Sequence, residues 1–397
     1  MADKVHPAER TRAWWFDRHG LNPRQGPKTI GDCLHRAGWL ATAGSTGVYL
    51  SIRARMPGVS RAAIDRAAID GVDAIEVPGA HARPPVLVPP NEMMLALRLH
   101  SASYAKHVAP LFASGRYSAA ALKAVASQAC RALDEGPLST AAIRASIDHP
   151  DAGELLVGAL IDLALRGVIR RYPADGRLDS PKYLYELRHP DDRPDLDSEG
   201  DDSSVAVKAT CLFLRRHGPA TADEIASWGA LTKGAVRQAL SALGAEPIAI
   251  ENWTDKAWLL PENVRAWHRF SGDIDRVVLL PYRDPFVYFR RPQAILTRRD
   301  TVPVLDATRK PVAIRDVSIM HNHAIVAGGE LVGVWEYDPA AKRLVTRVWH
   351  TDKGLGARVA AAADETCHFI REHIGDAKIS AVDPPARRAR RIAFCRA

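Results

Sequence analysis

The sequence lacks paired metal-binding cysteines. Its five cysteines, Cys33, Cys130, Cys211, Cys367 and Cys395, are odd in number and form no C-x-x-C pair. Neither a disulfide framework nor a structural zinc site is expected, and reduced thiols point to a cytoplasmic setting. No apolar signal core follows Met1-Ala2-Asp3-Lys4-Val5-His6. No uncharged run approaches the roughly 20 residues of a membrane span, and the most apolar stretch, Leu155 to Leu165, carries Asp162. A membrane partner is therefore not expected. Glutamine is scarce, confined to Gln25, Gln128, Gln238 and Gln293. No phosphate-cradling glycine loop stands between a strand and a helix, and no Ser/His/Asp triad can be read from residue order. His321-x-His323 has no third ligand at usable spacing. A metal site is not expected.

What is present is an ordinary globular composition. With 47% hydrophobic and 25% charged residues, the chain can bury a core rather than stay disordered. Its 397 residues suggest two to four domains. The formal charge of +8 suits a polyanion partner without demanding one.

An internal repeat organises the chain. Gly136-Pro137-Leu138-Ser139-Thr140-Ala141-Ala142-Ile143 is echoed by Gly218-Pro219-Ala220-Thr221-Ala222-Asp223-Glu224-Ile225. Each opening leads to a helix-period run and then to strand-like residues. That is the layout of a winged helix, whose second helix can enter the major groove of duplex DNA.

The fold class expected is α+β, with three tandem winged-helix domains and a C-terminal β-barrel-like domain. Residues 1–105 form the most diverged winged helix, with Ser60 capping one helix and Asn91 another. Residues 106–190 form the second, in which Gly167 stops a helix and a basic-tipped wing carries Arg177 and Lys182. Residues 191–204 hold seven acidic residues, expected to be a solvated tether. Residues 205–268 form the third, with Thr221 and Glu224 spaced as a capping box and Thr232 capping the next helix. Residues 269–397 hold alternating strands, one amphipathic helix packing through Val359, Phe369 and Ile370, and an arginine-rich tail.

The helix after Thr232 is the better reader of DNA. Lys233, Arg237, Gln238 and Ser241 share its exposed face and suit phosphates or base edges. The equivalent helix of the second repeat carries Glu154 and Asp162, which phosphates repel, so it is better suited to packing.

Three patches resemble the crosslink-repair and alkylpurine DNA glycosylases of the AlkZ/YcaQ-like family. They are Trp39 through Arg55 with its Ala54-Arg55 pair, Ala220 through Leu231, and Asp284-Pro285-Phe286 followed by Gly328 through Gly333. The resemblance implies a duplex DNA partner, including alkylated or crosslinked DNA. It also implies hydrolase activity of the base-excision DNA-repair kind, cutting the N-glycosidic bond without a cofactor. Arg53 and Arg55 then join Arg177, Lys182, Lys233, Arg237 and Gln238 as candidate DNA-binding residues. The family relies on a Gln-x-Gln or Gln-x-Asp pair to position or activate water. Here Ala41-Thr42-Ala43 stands in its place, and the methyl groups of Ala41 and Ala43 activate nothing. Three readings stay open: a glycosylase using other groups, a non-catalytic lesion-binding or regulatory protein, and a protein-interaction scaffold. A monomer is favoured.

Overall fold

The structure is a computed structural model that describes residues 6–42, 44–80, 84–115, 118–253, 255–272, 274–289, 296–350, 354–380 and 382–397. Ala43, Gln293 and the first five residues lie outside the described residues. Among the described residues no helix is long and apolar enough to cross a membrane.

Three times the chain runs helix, strand, helix, helix, strand, strand. The first series is Ile30–Ala37, Leu40–Ala41, Gly47–Arg55, Arg61–Asp70, Ile75–Val77 and Val86–Val88. The second is Ala119–Leu133, Leu138–Ser139, Thr140–Ala145, Ala152–Leu165, Ile169–Pro173 and Tyr183–Leu187. The third is Asp202–His217, Ala220–Thr221, Ala222–Gly229, Lys233–Ala242, Glu246–Ile248 and Ala257–Leu259. In each three-stranded sheet the last strand lies between the other two.

By its contacts the chain forms two units, Met1–Leu40, Ser45–Ile64 and Ala206–Ala397 in one, Ala41–Gly44 and Asp65–Val205 in the other. The smaller unit packs Val125, Ala129, Leu156, Leu160 and Leu163 into a core closed by Ile143 and Ile169. Gly167 stops the helix Ala152–Leu165 at φ 70°, and a Cβ there would stand 2.2 Å from Pro194. Only glycine fits. Asn91 does not cap a helix. Pro90–Glu92 forms a 3-10 turn whose proline takes the first position, and the helix that follows, Met93–Ala113, has no side-chain cap. It runs through residue 105, where a domain boundary was expected. No glycine interrupts it before Gly115.

The larger unit holds a helix that the sequence reading missed, Ala8–Arg18. It buries Trp14, Trp15 and Phe16 against Trp267, Phe286 and Leu280. The strands Val277–Leu280, His323–Ala327, Glu330–Asp338 and Arg343–Val348 form one antiparallel sheet in that order. The barrel-like sheet expected here is open, and no sheet among the described residues closes on itself. Its two edge strands are not paired to each other. The helix Leu355–Phe369 packs against both instead. Val359, Phe369 and Ile370 are buried as expected.

Candidate nucleic-acid interface and the first strand-to-helix junction

The first repeat differs from the others where its first strand meets the next helix. Residues 42–46 intervene between Leu40–Ala41 and Gly47–Arg55. Gly44, at φ 63°, supplies a left-handed turn there. Thr42 is fully buried. Its N–H donates to the Pro85 carbonyl at 3.0 Å, and its hydroxyl donates to the Glu76 carboxylate. The other carboxylate oxygen of Glu76 accepts from Arg171 Nε at 2.9 Å. The Arg171 guanidinium lies 4.1 Å from the centre of the Tyr183 ring. Glu76 raises the arginine's pKa against the effect of burial, and burial raises that of the Tyr183 hydroxyl. Ala41 is half-buried and carries no polar group. At the other end of the junction, Thr46 donates both its N–H and its hydroxyl to the Lys378 carbonyl.

Arg55, expected at the DNA surface, is buried at 1% exposure. Its guanidinium makes a bidentate pair with Asp284, at 2.7 and 2.9 Å, and also donates to the His19 and Ser51 carbonyls. Every side-chain nitrogen is thus occupied, and none is left for a phosphate. Asp284 in turn accepts from Phe286 N–H at 3.0 Å, capping Pro285–Tyr288. Arg53, two residues earlier, is half-buried and stands 5.3 Å from the Phe369 ring centre.

The exposed candidates lie on separate elements. Arg237 and Gln238 are exposed on Lys233–Ala242, and Lys233 is exposed but paired to Asp223 at 2.9 Å. Thr232 caps this helix by accepting from Ala235 N–H at 3.1 Å. Thr221 and Glu224 form the expected capping box. In the second repeat, Arg177 pairs with Asp179 at 2.8 and 2.9 Å. The neighbouring Leu178 is buried, and its N–H donates to Asp65. That loop is therefore pinned inward at Leu178, while Lys182 stays exposed. Asp162 pairs with Arg166, and the leucines of its helix face the core, in line with a packing role.

The arginine-rich tail is a helix, Pro385–Arg396, packed on the strands Glu330–Asp338 and Arg343–Val348. Arg388 and Arg391 are buried. Arg391 pairs with Glu336 and Asp383, and Arg388 pairs with Asp376 at 2.8 Å. Burial pushes the Glu336 carboxyl up to about 7 against the pull of Arg391. His323 is buried, stacked on Trp335 at 4.3 Å. It accepts from Tyr282 N–H at 2.7 Å. Among the described residues no cluster of His, Cys, Asp or Glu could hold a metal.

A family model described as DNA glycosylase AlkZ-like matches residues 36–369. The chain belongs to the AlkZ-like DNA glycosylase family. Its fold resembles the solved structure of Streptomyces sahachiroi DNA glycosylase AlkZ, with a TM-score of 0.68 at 17% identity. That match covers 95% of this chain and 99% of the other. No curated protein matches. The family's DNA-repair character fits the patches first noticed in the sequence. Two of them, Ala54-Arg55 and Asp284-Pro285-Phe286, meet in a buried ion pair. Sequence reasoning missed Glu76 and Arg171 altogether. An acid and a base 95 residues apart leave no local spacing signal.

Proposed function

We propose that this chain binds duplex DNA bearing alkylated or crosslinked purines through winged-helix repeats, and that it recognises the lesion without excising it from the family's site. Thr42 carries this reading. It has the one polar side chain in Ala41-Thr42-Ala43, is fully buried, and commits its hydroxyl to Glu76. Neither Ala41 nor Thr42 then presents a group that can orient a water or face an oxocarbenium-like sugar. The repeated element order and the exposed Arg237 and Gln238 on the helix after Thr232 support DNA binding. The surplus of eight positive charges supports it too.

A second reading keeps catalysis. The Glu76 carboxylate stands one hydrogen bond behind Thr42, and a rotation of that threonine would set a carboxylate-backed hydroxyl at the motif. An N-alkylated purine is already a cationic leaving group, so water positioning alone would help. The test is to incubate the protein with duplex DNA carrying N7- or N3-alkylated purines, score abasic sites, and titrate binding across a salt series. Binding that weakens steeply with salt, with abasic product at background, is the expected result. Product above background that Glu76→Gln abolishes would establish the second reading. Absence of binding at low salt would sink both.

A further inference from the structure

The turn Tyr282-Arg283-Asp284 is held from both sides. Tyr282 N–H donates to buried His323, and Asp284 is locked by Arg55. Between them Arg283 is forced to φ 70°, and Arg309 sits at φ 67°. A side chain in this left-handed region is strained and persists only where its surroundings impose it, which is commonest at functional sites. The Arg283 guanidinium lies 5.3 Å from the Tyr282 ring centre and 5.8 Å from that of Tyr288. His321 is tilted 30° against Tyr282 at 5.2 Å.

Among the described residues the Nε of Arg283 and of Arg309 has no acceptor, and Arg309 Nη1 donates to the Ala307 carbonyl at 2.6 Å rather than to a carboxylate. The nearby carboxylates are occupied elsewhere. Asp306 accepts from the N–H groups of Thr308 and Lys310 in its own turn, and Asp383 holds Arg391. Burial and the surrounding arginines, Arg309 and Arg283 foremost, bring His321 down to about 4. At neutral pH its ring is an uncharged flat face. These groups are half-exposed.

We propose that Tyr282, Arg283, Tyr288, Arg309 and His321 seat one unpaired nucleotide of bound DNA, its base stacked on the rings and its phosphate on the two guanidiniums. Aromatic faces interleaved with arginines whose Nε atoms have no acceptor suit a base and its phosphate together, and stacking accepts any base because each has a π face. An acidic peptide would use the arginines but make no use of the rings. The proposal rests on the DNA-binding reading above.

The test compares a fully paired duplex with one carrying a single unpaired 2-aminopurine, using the full chain and its Arg283→Gly and Arg309→Gly variants. Glycine adopts the same φ without strain, so both variants should melt no lower than the parent. The parent should prefer the unpaired duplex about tenfold and quench the 2-aminopurine. Each variant should lose most of that preference, and the salt slope should fall by about 1. Unchanged preference and quenching in both variants would overturn the seat. If the parent binds both duplexes equally and Arg237→Ala weakens both alike, the seat falls and DNA binding stands. If the parent binds neither, both readings fall.

Discussion

The first and third repeats join strand to helix in opposite ways. In the third, Ala220–Thr221 runs directly into Ala222–Gly229, and the Thr221 hydroxyl accepts from the helix's own Glu224 N–H. In the first, residues 42–46 separate strand from helix, and the Thr42 hydroxyl is released from capping to donate to Glu76. One side-chain type thus serves local structure in one repeat and a distant carboxylate in the other. The second repeat sides with the third, because Ser139 accepts from Ala142 N–H at 3.2 Å. The stretch proposed above to stand at the family's reactive position, Ala41-Thr42-Ala43, adjoins the one junction that departs from the repeat.

The comparison can be broken most sharply at Glu76. Glu76→Ala leaves Arg171 buried beside no carboxylate and Thr42 without its acceptor, and should cost about 3 kcal/mol in chemical denaturation. A loss below 1 kcal/mol would mean that the network does not hold the first junction. Thr42→Val removes only a hydroxyl bonded to a charged group, for about 2 kcal/mol. Thr221→Ala removes the cap of the third junction and should cost about 1 kcal/mol by thermal melting. If the last two came out in reverse order, the released hydroxyl would matter less than the capping one. Arg237→Ala should change stability by less than about 0.5 kcal/mol while lowering the salt slope of DNA binding by about 1. The smallest stability effect belongs to the pair Ala41→Gln and Ala43→Gln. It should leave the melting temperature nearly unchanged and bring abasic product on alkylated DNA above the parent's background. Failure to do so would show that the junction differs in more than its side chains.

Local signals were the legible part of the fold. Thr221, Glu224 and Thr232 announce their helices because a cap is written within four residues of itself. The strands of the open sheet follow from alternation. What stayed hidden depends on long-range partners. Arg55 reads as a surface cation until Asp284, 229 residues later, encloses it. Arg388 and Arg391 read as a solvated tail, yet they lie against Glu336, Asp383 and Asp376. Ala8–Arg18 escaped because its buried residues are consecutive, Thr11 through Phe16, rather than periodic. At the candidate site, the scarcity of glutamine was legible in the sequence. Glu76 and Arg171 were not, because they meet only when strands of two different repeats fold together.

The junction also has a practical meaning. Residues 42–46 lie outside the six-element repeat, anchored by Pro85 at one end and by Lys378 at the other. Neither anchor belongs to the strand or helix being joined, and both accept through main-chain carbonyls that any sequence supplies. A side chain introduced at Ala41 would leave both anchor carbonyls in use, the Thr42 hydroxyl on Glu76 and the Ser45 hydroxyl on Gly47 N–H, so the junction can be varied one residue at a time without dismantling what holds it.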